Sequence, residues 1–105
     1  MAQLDYQRVA ATSQIGQGEM LCVDLQGREV LICHLEDGFF AVDNICSHAK
    51  ARMSEGRLRG HRILCPLHGA SFDVRDGSVI RPPAIHPLRS HAVRVSGEDI
   101  LVALT

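Results

Sequence analysis

Short apolar runs alternate with turn-forming residues at close intervals through the first half of the chain. EMLCVDL (19–25), VLICHL (30–35) and FFAVDNI (39–45) are separated by QGRE and EDG. Their β-branched and apolar content, with Gly27 and Gly38 at the turns, fits hairpin-connected antiparallel strands better than helices. No segment carries a sustained 3.6-residue apolar period. Beyond residue 70, ASFDVR is followed by a proline-marked loop, IRPPAIHPL, and then by two final strand-like runs, HAVRV and DILVAL, split by SGE. The pattern predicts an all-β chain, a small antiparallel β sandwich or partly open barrel.

One segment breaks the pattern. Residues 46–72 read CSHAKARMSEGRLRGHRILCPLHGASF, with Gly56, Gly60, Pro66 and Gly69 inside them and only RLRGHRIL suggesting a short hairpin. It reads as a two-loop subdomain inserted between strands of the main sheet, spanning about 45–73 within a single domain, 1–105. At 105 residues, 46% hydrophobic and 22% charged, the chain is ordinary for a globular domain, but its core is small. A group bound only by the folded form would add useful stability.

Charge divides the chain further. The formal net charge is −1, yet residues 1–45 carry seven acids against Arg8 and Arg28, a net of −5. Residues 46–75 carry Lys50, Arg52, Arg57, Arg59, Arg62 and Arg75 against Glu55 and Asp73, a net of +4. Aromatic content is 4%, without interleaving of aromatics and bases, so stacking platforms for nucleic acid are missing. No basic segment followed by an apolar run opens the chain, and no stretch approaches the roughly 20 apolar residues that span a bilayer. A cytoplasmic, soluble protein is expected, without nucleic-acid or membrane partners. In that compartment its four cysteines are expected as thiols or metal ligands and not as disulfides.

The inserted segment holds two Cys/His pairs, Cys46-x-His48 and Cys65-x-x-His68. Thiolate and neutral imidazole suit zinc, copper or an iron–sulfur cluster, and no carboxylate cluster accompanies them to favour a hard ion. Common structural zinc sites draw like ligands from each short element, whereas here each element supplies unlike ones. A site with two metal centres could use the mixture, one taking both thiolates and the other both imidazoles. Cys22 and Cys33, in strand-like runs, read as small buried apolar residues. His34, His61, His86 and His91 lack a partner at ligand spacing and read as surface or hydrogen-bonded residues.

Cys46-x-His48, a gap of sixteen residues, then Cys65-Pro66-Leu67-His68-Gly69 with Phe72-Asp73 and Gly77, resembles the Rieske [2Fe–2S] family. The strands before the motif, the proline-marked loop and the final hairpin are also similar to the small Rieske ferredoxins along nearly all of the chain. The resemblance implies a Rieske fold, with Cys46 and Cys65 binding the inner iron and His48 and His68 the outer one. Two ferric ions, two sulfides, two thiolates and two neutral imidazoles sum to zero charge, so reduction adds an electron to a neutral centre. Rieske potentials accordingly span about −150 to +300 mV, against about −400 mV for four-Cys clusters. High-potential relatives carry a disulfide, a serine and a tyrosine around the cluster, at positions that here are Ala51 and Leu67, Ala70, and Phe72. A low-end potential follows. A loop containing Pro82, Pro83 and Pro87 is expected to cover the cluster.

The resemblance also implies function: a one-electron carrier between a flavin-dependent NAD(P)H reductase and a terminal aromatic-ring-hydroxylating oxygenase. Both partners would dock transiently near His48 and His68, with Lys50 and Arg52 the first choice for steering an acidic partner. Such a chain has no substrate site of its own and is not an enzyme. The alternatives are the small Rieske subunit of a nitrite reductase, and a non-redox Cys2His2 zinc module.

Overall fold

The computed structural model describes residues 4–46, 51–67, 69–82 and 86–105. Among the described residues, ten strands form two antiparallel sheets. They are β1 (Gln7–Ala11), β2 (Met20–Leu25), β3 (Arg28–Leu35), β4 (Gly38–Asp43), β5 (Arg57–Arg59), β6 (Arg62–Leu64), β7 (Ser71–Asp73), β8 (Val79–Arg81), β9 (Ser90–Ser96) and β10 (Asp99–Ala103). The larger sheet runs β1-β10-β9-β4-β3-β2 and the smaller β5-β6-β7-β8. The all-β expectation and the inserted hairpin are both realised. Strands β1 and β8 were not anticipated: QRVAA has little β-branched content, and VIR was absorbed into the proline-marked loop.

Turn chemistry sets the register of the larger sheet. Leu25 pairs with Arg28 across a two-residue turn in which Gln26 (φ 54°) and Gly27 (φ 81°) both lie in the left-handed region. That is the turn whose twist matches a β-hairpin, and glycine supplies the second position without strain.

Strand β3 is central because both of its faces are buried. Val30 and Ile32 join Ala10, Ile15, Leu25, Ala41, Ile100 and Val102 in one apolar cluster. Leu31, Cys33 and Leu35 point the other way, into a second cluster with Val42, Met53, Ile63, Phe72, Val74 and Leu88. This is why VLICHL reads as a continuous apolar run and not an alternation. The larger sheet therefore has one cluster on each face, and the second cluster glues the smaller sheet to it.

Strand β2 shows the opposite case and corrects one expectation. Leu21, Val23 and Leu25 pack inward, whereas Cys22 is exposed on the alternate face, its sulfur 3.9 Å from Glu29 Oε1. The period-2 alternation of an edge strand governs MLCVDL, and residue apolarity alone misplaced Cys22. Cys33 is buried as expected, and burial pushes its thiol up to about 12.

The two halves of the larger sheet meet where β4 pairs with β9 through Ala41↔His91 and Val42↔Ser90. Asp43 reinforces this seam. One of its oxygens lies 2.7 Å from His91 Nε2, and both accept from the Arg28 guanidinium at 3.1 and 3.0 Å. His91 Nδ1 in turn accepts the Thr105 N–H at 3.1 Å. With one ring nitrogen accepting and the other facing a carboxylate, the neutral tautomer protonated on Nε2 satisfies both contacts. His34 is likewise held, its Nδ1 donating to the Ile15 carbonyl at 2.8 Å and its ring stacked on Phe39.

Gly56 admits the chain to the smaller sheet at a point where a Cβ would collide with the Leu64 carbonyl. The obstacle is backbone and cannot swing away. Gly56→Ala is expected to destabilise the protein by about 1–3 kcal/mol, the usual cost of overpacking. Thermal denaturation checks this, each kcal/mol lowering Tm by about 4–8 °C for a domain of this size.

Candidate metal centre

Two loops converge on the second apolar cluster. The first leaves β4 at Asn44 and is pinched shut at its neck. Cys46 N–H donates to the Ala51 carbonyl at 2.7 Å, Ile45 and Arg52 form an isolated antiparallel bridge, and Met53 N–H donates to the Asn44 carbonyl at 2.6 Å. The second loop is closed by Cys65 N–H donating to the Ala70 carbonyl at 2.7 Å, between β6 and β7.

Asn44 is the fully buried pivot of the first neck. Its Nδ2 donates to Glu29 Oε1 at 3.0 Å, and its Oδ1 accepts the Ser54 N–H at 2.8 Å. Ser54 lies in the short 3-10 turn Met53–Glu55, whose first N–H groups have no partner within the turn. One side chain thus ties the base sheet, through Glu29, to the returning limb of the loop. Glu29 also accepts from Arg52 at 3.2 and 3.4 Å. The bond from Asn44, and then the contact with Arg52, hold its carboxyl below the usual range.

These necks place Cys46 and Cys65 in one buried patch, 0% and 4% exposed, with Met53, Ile63, Ala70 and Phe72 around them. The two thiols lie in hydrogen-bonding contact, and the Leu67 N–H donates to the Cys65 sulfur. Burial pushes the Cys65 thiol up; the Leu67 amide opposes this by favouring the thiolate, and the neighbouring Cys46 adds to the rise. No disulfide joins any of the four cysteines. Adjacent buried thiols of this kind shed their protons when a cation is present to receive both thiolates. The donor set therefore fits a metal centre gripped by sulfur. Among the described residues no further His, Cys, Asp or Glu completes a set of three with them.

His48, His68 and Lys50 lie outside the described residues, as does Pro83. Pro82 and Pro87 are exposed. Ala70 and Phe72 are fully buried and bring no hydroxyl to the thiols' surroundings. Arg52 differs from its expected role: its charge is tied to Glu29 and is not left for a partner. Asn44, just after β4 and two positions before Cys46, carries no sequence signal of its burial, since a polar residue following Asp43 reads as the start of a loop.

The geometry agrees with comparison to known proteins. A family model described as "Rieske [2Fe-2S] domain" matches residues 5–102. The ferredoxin component of the naphthalene 1,2-dioxygenase system of Pseudomonas aeruginosa is 35% identical over 95 residues, covering 90% of this chain and 91% of that protein. The solved ferredoxin of carbazole 1,9a-dioxygenase from Nocardioides aromaticivorans IC177 superposes with a TM-score of 0.91 at 37% identity, covering 95% of this chain and 98% of that one. A chain from the complex of reduced oxygenase and oxidized ferredoxin in carbazole 1,9a-dioxygenase gives a TM-score of 0.88 at 32% identity, covering 93% and 92%. The chain belongs to the Rieske [2Fe–2S] domain family, and its cofactor is a [2Fe–2S] cluster of that type.

The Asn44 clamp is testable. Asn44→Ala leaves the Ser54 N–H without its partner and is expected to cost about 1–3 kcal/mol at neutral pH in urea denaturation. A depressed carboxyl stabilises the fold fully above its unfolded pKa and loses that contribution as pH falls through its folded value. The deficit of Asn44→Ala is therefore expected to shrink in acid, where Glu29 is protonated in both proteins.

Proposed function

We propose that this chain is a one-electron carrier between a flavin-dependent NAD(P)H reductase and a terminal aromatic-ring-hydroxylating oxygenase. Cys46 and Cys65 hold one iron, and His48 and His68, from the same two loops, hold the other. The observation that carries the reading is the buried contact of Cys46 with Cys65, made by two closed loops in a chain of this family. The naphthalene and carbazole dioxygenase ferredoxins support the choice of partners. We further infer a single Rieske domain over 1–105, with the cluster-binding subdomain at about 45–73.

Bound there, the cluster supplies a reversible one-electron couple. The residues around it set how easily that couple is reduced. Met53, Ile63 and Phe72 exclude water on the protein side of the thiols. The Leu67 N–H donates to the Cys65 sulfur and favours the extra negative charge. Ala70 and Phe72 contribute no hydroxyl, so this stabilisation is modest. Catalysis belongs to the oxygenase, and the chain acts in the cytoplasm, where a reducing environment keeps its thiols available to metal. Among the described residues no helix is long and apolar enough to cross a membrane.

Purified protein is expected to be coloured and to contain two irons and two acid-labile sulfides per chain, with the EPR signal of a mixed-ligand cluster when reduced. Cys65→Ser should lose iron and colour; a colourless wild-type protein carrying one zinc sinks the proposal. Redox titration is expected to give a midpoint in the lower part of the roughly −150 to +300 mV Rieske window.

A further inference from the structure

Of the nine exposed arginines among the described residues, three pair with carboxylates, and Arg81, Arg89 and Arg94 make no ion pair. Arg8 pairs with Asp99, Arg52 with Glu29 and Arg75 with Asp73, all within 3.2 Å. The hairpin β5–β6 gathers the other three. Arg57, Arg59 and Arg62 are all exposed, and none makes an ion pair among the described residues. Arg59 and Arg62 stand directly opposite each other in the ladder, an arrangement of like charges that weakens a sheet. Asp73, across from Arg62 on the other side, already takes the bidentate Arg75 and has His61 at 3.9 Å.

Edge protection is the ordinary reason for charges on an outer strand, and β5 is the edge of its sheet. It does not account for Arg62, which lies on the inner neighbour β6 and faces Arg59. The hairpin also leads straight to the metal centre. Leu64 ends β6 and Cys65 follows; Glu55, two positions before Arg57, lines an open groove of about 360 Å³ with Ile45, Ala51, Arg52, Pro66 and Leu67. Ile45 and Leu67 are 37% and 47% exposed, although one adjoins Cys46 and the other hydrogen-bonds Cys65. An apolar centre beside the thiols with an uncompensated cationic margin has the layout of a docking face.

We propose that the Ile45–Leu67 groove and the Arg57, Arg59 and Arg62 hairpin form one docking face for a redox protein whose own face is acidic. This rests on the electron-carrier reading and specifies the partner's chemistry at that site. The partner's carboxylates lie over the three guanidinium groups, and an apolar side chain fills the groove. A polynucleotide is disfavoured because no aromatic residue interleaves with the arginines.

The test uses the dithionite-reduced holoprotein and two haem proteins of opposite docking charge, an acidic b-type and a basic c-type cytochrome. Each accepts one electron from the cluster as ferric haem becomes ferrous, read by stopped-flow absorbance. The acidic cytochrome is expected to react faster at low salt and to slow steeply as salt rises, although this protein's own net charge is negative. Arg57→Glu/Arg59→Glu/Arg62→Glu should slow the acidic cytochrome at least about tenfold at low salt and speed the basic one. The corresponding Gln variant should fall between, and Arg8→Glu, on the opposite sheet, should change neither. Unaltered visible and EPR spectra of the variants show that fold and cluster persist. A rate with the acidic cytochrome that rises with salt, or is indifferent to the triple substitution, overturns the proposal. So does saturable binding of a labelled DNA duplex at physiological salt that the triple substitution abolishes. A protein without a reducible cluster fails earlier, at the electron-carrier reading, and is distinguished by its absent spectrum.

Discussion

The contact between two buried thiols organises this molecule. Cys65 gains nothing from lying against Cys46 in an apolar patch, since burial discourages its thiolate and the neighbouring sulfur adds to the rise. The scaffold imposes the contact by pinching shut two loops that come from different parts of the chain. That imposition would become favourable were both sulfurs to hold a metal of the family's cluster. A group bound only by the folded form would then stabilise the small domain as well.

How the loops are closed explains the sheet beneath them. Because β3 is buried on both faces, the base of the protein can carry one apolar cluster of its own and lend the other to the smaller sheet. Asn44 then joins the layers at the point where β4 becomes loop. A polar side chain is admitted to this depth because Glu29 and the Ser54 amide satisfy both ends of its amide group.

Much of this was legible in the sequence. VLICHL announced a strand, QGRE its turn, and the interleaved Cys/His pairs a site with room for two metal centres. What escaped had identifiable reasons. Strands β1 and β8 are short segments whose pairing with β10 and β7 supplies what their composition does not. Cys22 was misplaced because an edge strand's alternation outranks the apolarity of a thiol. The pairing of Arg52 with Glu29 joins residues 23 positions apart and could not be read from a count of charges. That pairing changes the electrostatics, since it takes Arg52 out of the uncompensated cations while Arg57, Arg59 and Arg62 remain among them.

The seam between β4 and β9 has a consequence for motion. Two ladder pairs, the Asp43 N–H bond to the Arg89 carbonyl and the hydrogen bond of His91 with Asp43 stitch β9 to β4, and the first apolar cluster packs across both halves. Cooperative opening units tend to divide where a sheet is thinly stitched. Amide hydrogens of the terminal three-strand unit can thus exchange with solvent while the other unit stays shut, and both pinched necks adjoin the unit that stays shut. Breathing of the chain ends is in this way insulated from the iron.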